Sequence, residues 1–163
     1  MPEGIASLVL LQVTNRTPLR GIAKVAILLE ILLGVGAVGG GIALMAGPHG
    51  EILPLPVSAL AGSPFADYFA PGLILFAVLG LAPLGAAVAA WQRRSVARFL
   101  AFAAGCALLV WLIVEIEIVG YSSHPPLQAV YLGLGVVMTL VGAEWIREVG
   151  WARHGRTIEE PPE

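Results

Sequence analysis

Trp91-Gln92-Arg93-Arg94-Ser95-Val96-Ala97-Arg98 is the stretch that decides the fold. It carries three of the nine Lys and Arg residues and separates two apolar stretches, each long enough to cross a bilayer. Working outward, the remaining cations fall into two further clusters. Arg16, Arg20 and Lys24 precede the first apolar stretch, and Arg147, Arg153 and Arg156 follow the fourth. The other two connections, Pro48 to Pro71 and Tyr121 to Pro126, hold no Lys or Arg. Cytoplasmic flanks of membrane spans are enriched in these residues and the short flanks on the far side are depleted. The pattern predicts an all-α integral membrane protein. It is an antiparallel four-helix bundle with both termini in the cytoplasm (N-in/C-in).

Composition points the same way. The chain is 58% hydrophobic and 12% charged, where a soluble domain is about a quarter charged. A water-soluble fold of 163 residues has too little interior to hide that much apolar surface. The single cysteine, Cys106, excludes an internal disulfide or a Cys-x-x-Cys redox pair. It reads as a small packing residue. No cleavable signal peptide is expected, because Arg16 follows the apolar run Ile5 to Val13 instead of preceding it.

One transmembrane domain is expected over residues 1–163. Its spans are about 19–46, 71–91, 98–120 and 126–146, with a cytoplasmic segment over 1–18 and a cytoplasmic tail over 147–163. In the first span, Gly36 and Gly40 form a small-x-x-x-small pair that lets a neighbouring backbone approach. Gly135 belongs to a similar stripe with Tyr131, Gly133, Thr139 and Gly142 in the fourth. Pro83 lies inside the second span and is expected to kink it. The connection Gly47 to Ala70 is too proline-rich for one helix, yet Leu53, Leu55, Val57, Leu60 and Phe65 make it apolar. It reads as an outer interfacial or re-entrant segment over the mouth of the bundle. Tyr68, Phe69 and Tyr121 are read as markers of the outer boundary, and Trp91, Phe99, Trp145 and Trp151 as markers of the inner one.

An acid inside a span costs about 2.5 to 3.5 kcal/mol on insertion scales, so each calls for a reason. Glu144, beside Arg147 at the inner boundary, reads as a solvated interface charge. Glu30 lies six residues beyond Lys24, about 9 Å deeper along the helix. It reads either as an acid that locks helix packing or as a proton- or cation-binding group. Glu115 and Glu117, in Trp111-Leu112-Ile113-Val114-Glu115-Ile116-Glu117, are two residues apart, about 200° around a helix. One is expected to face the bundle interior, the other the outer loop or another subunit. His49, Glu51, Asp67, Glu115, Glu117 and His124 all gather toward the outer side, but without the spacing of a metal site. No cofactor is expected, and no nucleic-acid or phosphate-loop signature is present.

The stretch Gly62-Ser63-Pro64-Phe65-Ala66-Asp67-Tyr68-Phe69-Ala70-Pro71-Gly72-Leu73-Ile74-Leu75 resembles a group of small, uncharacterised, mainly bacterial four-span membrane proteins. They share an S-P-F-x-D-Y-x-x-P-G-L-x-L pattern at the outer end of the second span. The acidic third span after Trp111, here with Glu115, and Leu127-Gln128 opening the fourth are also similar. The resemblance covers roughly residues 34–142. It implies the four-span topology and residence in the bacterial cytoplasmic (inner) membrane, without an activity. Within the motif, Asp67 is expected to cap the second span or to join Glu115 in an outer site.

These readings lead to a non-enzymatic accessory or assembly subunit in contact with membrane lipids. It would self-associate as a homo-oligomer or bind a larger membrane complex. The alternative is a small oligomeric transporter or proton-coupled carrier using Glu30 and Glu115. An enzyme drawing on Asp67, Glu115 and His124 comes third.

Overall fold

The computed structural model describes residues 21–121 and 126–157, with side chains as far as Val149. The described residues form a bundle of four helices: α1, Gly21–Ala46; α2, Phe69–Trp91; α3, Ala97–Val119; and α4, Leu127–Thr157. No strand occurs among the described residues. Each helix contains a segment long and apolar enough to cross a membrane. The bundle surface explains why water is not its solvent. Leu28, Leu32, Val35, Val110, Ile113 and Leu140 are all exposed, and an aqueous surface tolerates no such continuous apolar coat.

Two hairpins make up the bundle. α1 packs along α2 and α3 along α4, while contacts between the hairpins are sparser. Glycines set the close approach within each. A Cβ on Gly34 would stand 2.6 Å from Leu84 Cγ, and one on Gly41 would stand 2.7 Å from the Gly72 carbonyl oxygen. In the second hairpin, a Cβ on Gly105 would lie 2.5 Å from the Thr139 nitrogen, and one on Gly142 2.6 Å from Phe102 Cα. Gly135 is equally tight, with Leu109 Cδ2 at 2.8 Å. The seam of α1 therefore differs from the expected one. Gly34 and Gly41 carry it, whereas a Cβ on Gly36 or Gly40 would meet its nearest neighbour only at 3.4 or 3.3 Å.

The hairpins close together at one end and part at the other. At the closed end the buried residues are small: Ala86, Ala87, Ala89, Ala90, Ala97 and Ala101. Short side chains let α2 and α3 meet there. The turn between them is held by the pattern that terminates many helices. Arg93 N–H donates to the Ala90 carbonyl at 2.9 Å, and Arg94 N–H reaches back to Ala89, also at 2.9 Å. Arg93 adopts φ 59° to do so, a conformation that costs a non-glycine residue about 1–2 kcal/mol. Lys24, Arg93, Arg94, Arg98 and Arg147 belong to this closed, basic end, since neighbouring helices run antiparallel.

Two elements add detail to the sequence-based expectation. Pro83 is accommodated by a wide π-helical run over Leu75–Leu81, closed by Ala82 N–H donating to the Ala77 carbonyl. Proline lacks an N–H and its ring crowds the carbonyl four residues back, so an extra residue in the preceding turns relieves the clash. α4 continues past Ile146 to Thr157. Its added turns are polar, and Arg147 Nη1 donates to Glu144 Oε2 at 2.8 Å, a pairing that supports a solvated helix.

Candidate functional site

At the open end, a cleft of about 740 Å³ lies between the hairpins. Its floor is the apolar core of Leu33, Ala37, Leu79, Leu108 and Leu112. Ile74 and Val78 on α2 face Val110 and Val114 on α3 along its side, and all four are exposed. The cleft therefore reaches the lipid-facing surface between α2 and α3. Gly36, Gly40 and Tyr131 line it from α1 and α4. Within the chain, Gly36 and Gly40 thus leave room in a cleft, and the tight contacts of α1 fall on Gly34 and Gly41. Cys106 lies on the same wall.

The roof is the connection between α1 and α2. It turns through one 3-10 segment, Val57–Leu60. Leu53, Val57, Leu60 and Phe65 pack onto Leu44, Leu75 and Ile118. Tyr68 pins this roof: it is 4% exposed, and its hydroxyl donates to the Pro56 carbonyl at 3.0 Å. Burial raises its pKa above the ordinary tyrosine value. Tyr68, read from the sequence as a marker of the outer boundary, is thus a buried anchor of the roof. Asp67 accepts the Phe69 N–H at 2.9 Å on Oδ1, which starts α2 two residues before Pro71. It does not line the cleft with Glu115, so of the two roles weighed for Asp67 the helix entry is the one seen.

Glu115 is the polar pole of the cleft. Trp111, one turn earlier on α3, donates its indole Nε1–H to Glu115 Oε2 at 3.0 Å. Gln128, from the first turn of α4, donates Nε2–H to Glu115 Oε1 at 3.2 Å. The same amide nitrogen donates to the Gly120 carbonyl at 3.1 Å. Gly120 ends α3 with φ 84°, a left-handed value that glycine adopts without steric cost. That turn aims its carbonyl at Gln128 and sets the register of the α3–α4 hairpin. Gln128 is 7% exposed. Glu117, by contrast, is exposed and does not line the cleft.

Glu30 sits below the floor, one turn before Leu33 on α1. It is 1% exposed, and neither carboxyl oxygen has a hydrogen-bond partner among the described residues. Ala26, Leu29, Ala101, Met138 and Val141 surround a space beside it that admits no water-sized sphere.

The remaining candidates stand apart. Glu51 Oε2 accepts the His49 N–H at 2.9 Å on an exposed turn. The backbone N–H groups of Glu51 and His49 hold its pKa below the usual carboxylate value. His124 lies outside the described residues. Among the described residues, no three His, Cys, Asp or Glu side chains gather into a group able to hold a metal ion.

The sequence reading named Trp111 and Gln128 as parts of the resemblance but gave neither a role beside Glu115. The signal for Trp111 was its four-residue spacing from Glu115, which places both on one helix face. The contact of Gln128 with Glu115 forms only when α4 is folded back on α3. No protein-family model, no curated protein and no solved structure matches the chain.

Proposed function

We propose that this protein is a small, non-enzymatic membrane subunit that holds an apolar molecule of the lipid class in the cleft between its two hairpins. The cleft itself carries the reading. Its volume of about 740 Å³ falls in the range of roughly 300–1,000 Å³ that encloses a drug-sized molecule, and such sites pair apolar walls with a few placed polar groups. The wall here is apolar, and its one carboxyl among the described residues is Glu115. The mouth between α2 and α3 faces the side from which a lipid-soluble molecule arrives. Glu115 and its donors recognise the ligand in this reading, and the roof pinned by Tyr68 retains it.

The same proposal places the basic end in the cytoplasm, the roof on the outer side, and the chain in the bacterial cytoplasmic membrane with the four-span group it resembles. Its partners are lipids and either further copies of itself or a larger membrane complex.

Cys106 supplies the test, because it is the one cysteine of the chain and lines the cleft. In nanodiscs of a short-chain synthetic lipid, a maleimide is expected to label Cys106. Adding a total lipid extract should slow that labelling several-fold. Equal labelling rates with and without the extract would remove the proposal.

One observation favours a second reading, a proton-coupled carrier. Glu30 is an acid buried below the cleft floor without a partner among the described residues, and acids inside membranes are functional candidates by default. That reading predicts pH-driven flux of a cleft ligand that Glu30→Gln abolishes while binding persists.

A further inference from the structure

We infer that the cleft selects amphiphiles whose head donates hydrogen bonds, a protonated amine above all, and that Glu115 is the residue that receives this head. The inference rests on the lipid-binding reading of the cleft and adds to it the chemistry of the ligand's polar end.

The argument starts from hydrogen-bond capacity. A carboxylate offers about four lone-pair positions and no donor. Trp111 and Gln128 occupy one position on each oxygen of Glu115. Accepting capacity therefore remains on both oxygens. The neighbouring donors have little to offer a ligand. The Trp111 indole has one N–H, and it is directed at Glu115. The two N–H groups of Gln128 are directed at Glu115 and Gly120. The Tyr68 hydroxyl proton is directed at Pro56. The Tyr131 hydroxyl, the other O–H on the described wall, lies toward Gly36 on α1, so the pole at Glu115 itself presents acceptors.

Charge leads to the same class. Among the described residues, no Lys, Arg or His lines the cleft, and a half-buried carboxylate gains most from a cation that it also hydrogen-bonds. An anionic head, such as a fatty acid carboxylate or a phosphate monoester, would meet Glu115 with like charge and no cation among the described lining residues. A head at Glu115 directs its chain between Val110 and Val78 toward Leu108 and Leu79 on the floor. Glu115 lies four residues before the end of α3, only about 6 Å along the helix axis. A head placed there stays close to the membrane boundary while the chain stays in the apolar layer.

The experiment uses the full-length protein in nanodiscs and protection of Cys106 from maleimide. The probes share one chain length: dodecylamine, dodecanol, dodecanoate and dodecyl phosphate. The wild-type protein is expected to be protected by dodecylamine at about tenfold lower concentration than by dodecanoate, which corresponds to about 1.4 kcal/mol. Dodecanol should fall between them, and dodecyl phosphate should be no better than dodecanoate. In Glu115→Gln the amine and the acid should protect within about twofold of each other. Equal protection by all four probes in the wild-type protein would overturn the head assignment and leave the lipid-binding reading in place. Protection by none would instead remove that reading. Preference for either anion also overturns the inference. The wild-type series stands without any variant, and Trp111→Phe supplies a second handle. It frees one more acceptor position on Glu115 and should retain the amine preference, whereas its loss would mean that the indole, not the carboxylate, selects the head.

Discussion

Replacing Glu30 with methionine should make this protein more stable. Glu30 is 1% exposed and both carboxyl oxygens lack a partner among the described residues. The neighbours are Ala26, Leu29, Ala101, Met138 and Val141, with no room for water beside them. An unpaired buried polar group forfeits about 1–3 kcal/mol relative to one that is satisfied or replaced by an apolar group of similar shape. Methionine has similar length, is unbranched, and adapts to irregular gaps. Glu30→Met is therefore expected to stabilise the fold by about 1–3 kcal/mol, whereas Glu30→Gln keeps a polar end in the same place and should gain far less. Reversible unfolding in mixed micelles, followed by tryptophan fluorescence, reads both. The chain has four tryptophans, and Trp111 and Trp145 pack against the core clusters. If Glu30→Met instead destabilises by 2 kcal/mol or more, the carboxyl is held by a partner. A second copy of the chain or a bound cation would then become the first object of study. A stabilised variant that loses a pH-driven flux would show a familiar exchange, in which a functional site is kept at the expense of stability.

Three further outcomes are expected. Gly105→Ala places a methyl 2.5 Å from the Thr139 backbone nitrogen. It should destabilise the α3–α4 hairpin by about 1–3 kcal/mol in the same unfolding assay, the usual result of overpacking. Tyr68→Phe removes the hydroxyl that holds the Pro56 carbonyl. A loss of about 0.5–1.5 kcal/mol should appear as faster proteolysis within 50–66 while the four helices stay intact. Ser95→Cys, made in a Cys106→Ala background, puts the sole thiol in the α2–α3 turn. It should react with a membrane-impermeant maleimide in inverted vesicles and resist it in intact cells, and the opposite result would reverse the proposed orientation.

The helices were legible because the signals behind them are local. A run of apolar residues bounded by cations specifies a span wherever it sits in the chain, and Arg93-Arg94 marks a turn without reference to anything distant. The cleft was not legible, since it depends on which side chains are short at matching depths on different helices. Buried alanines draw α2 and α3 together at one end, while larger residues and a packed roof keep the hairpins apart at the other. The glycine faces show the same limit. Spacing identifies Gly36 and Gly40 as a pair, but rotation of α1 against α2 decides that Gly34 and Gly41 make the seam.

Glu115 was visible as an acid out of place, and its separation from Glu117 around the helix implied different surroundings. Its partner Gln128 is 13 residues away and meets it only through the turn at Gly120. Asp67 shows the opposite limit. Its position suggested either a cap or a site, and local geometry chose the cap when Phe69 N–H turned onto its carboxyl.

Native mass spectrometry of the protein, extracted gently from its own membranes, tests the central claim most directly. The account predicts one lipid-class adduct per chain, retained after delipidation of the surface. The adduct should be lost from Gly36→Leu, whose side chain would fill the cleft beside Tyr131. A bare chain in the wild-type protein, or an adduct that Gly36→Leu retains unchanged, would contradict it.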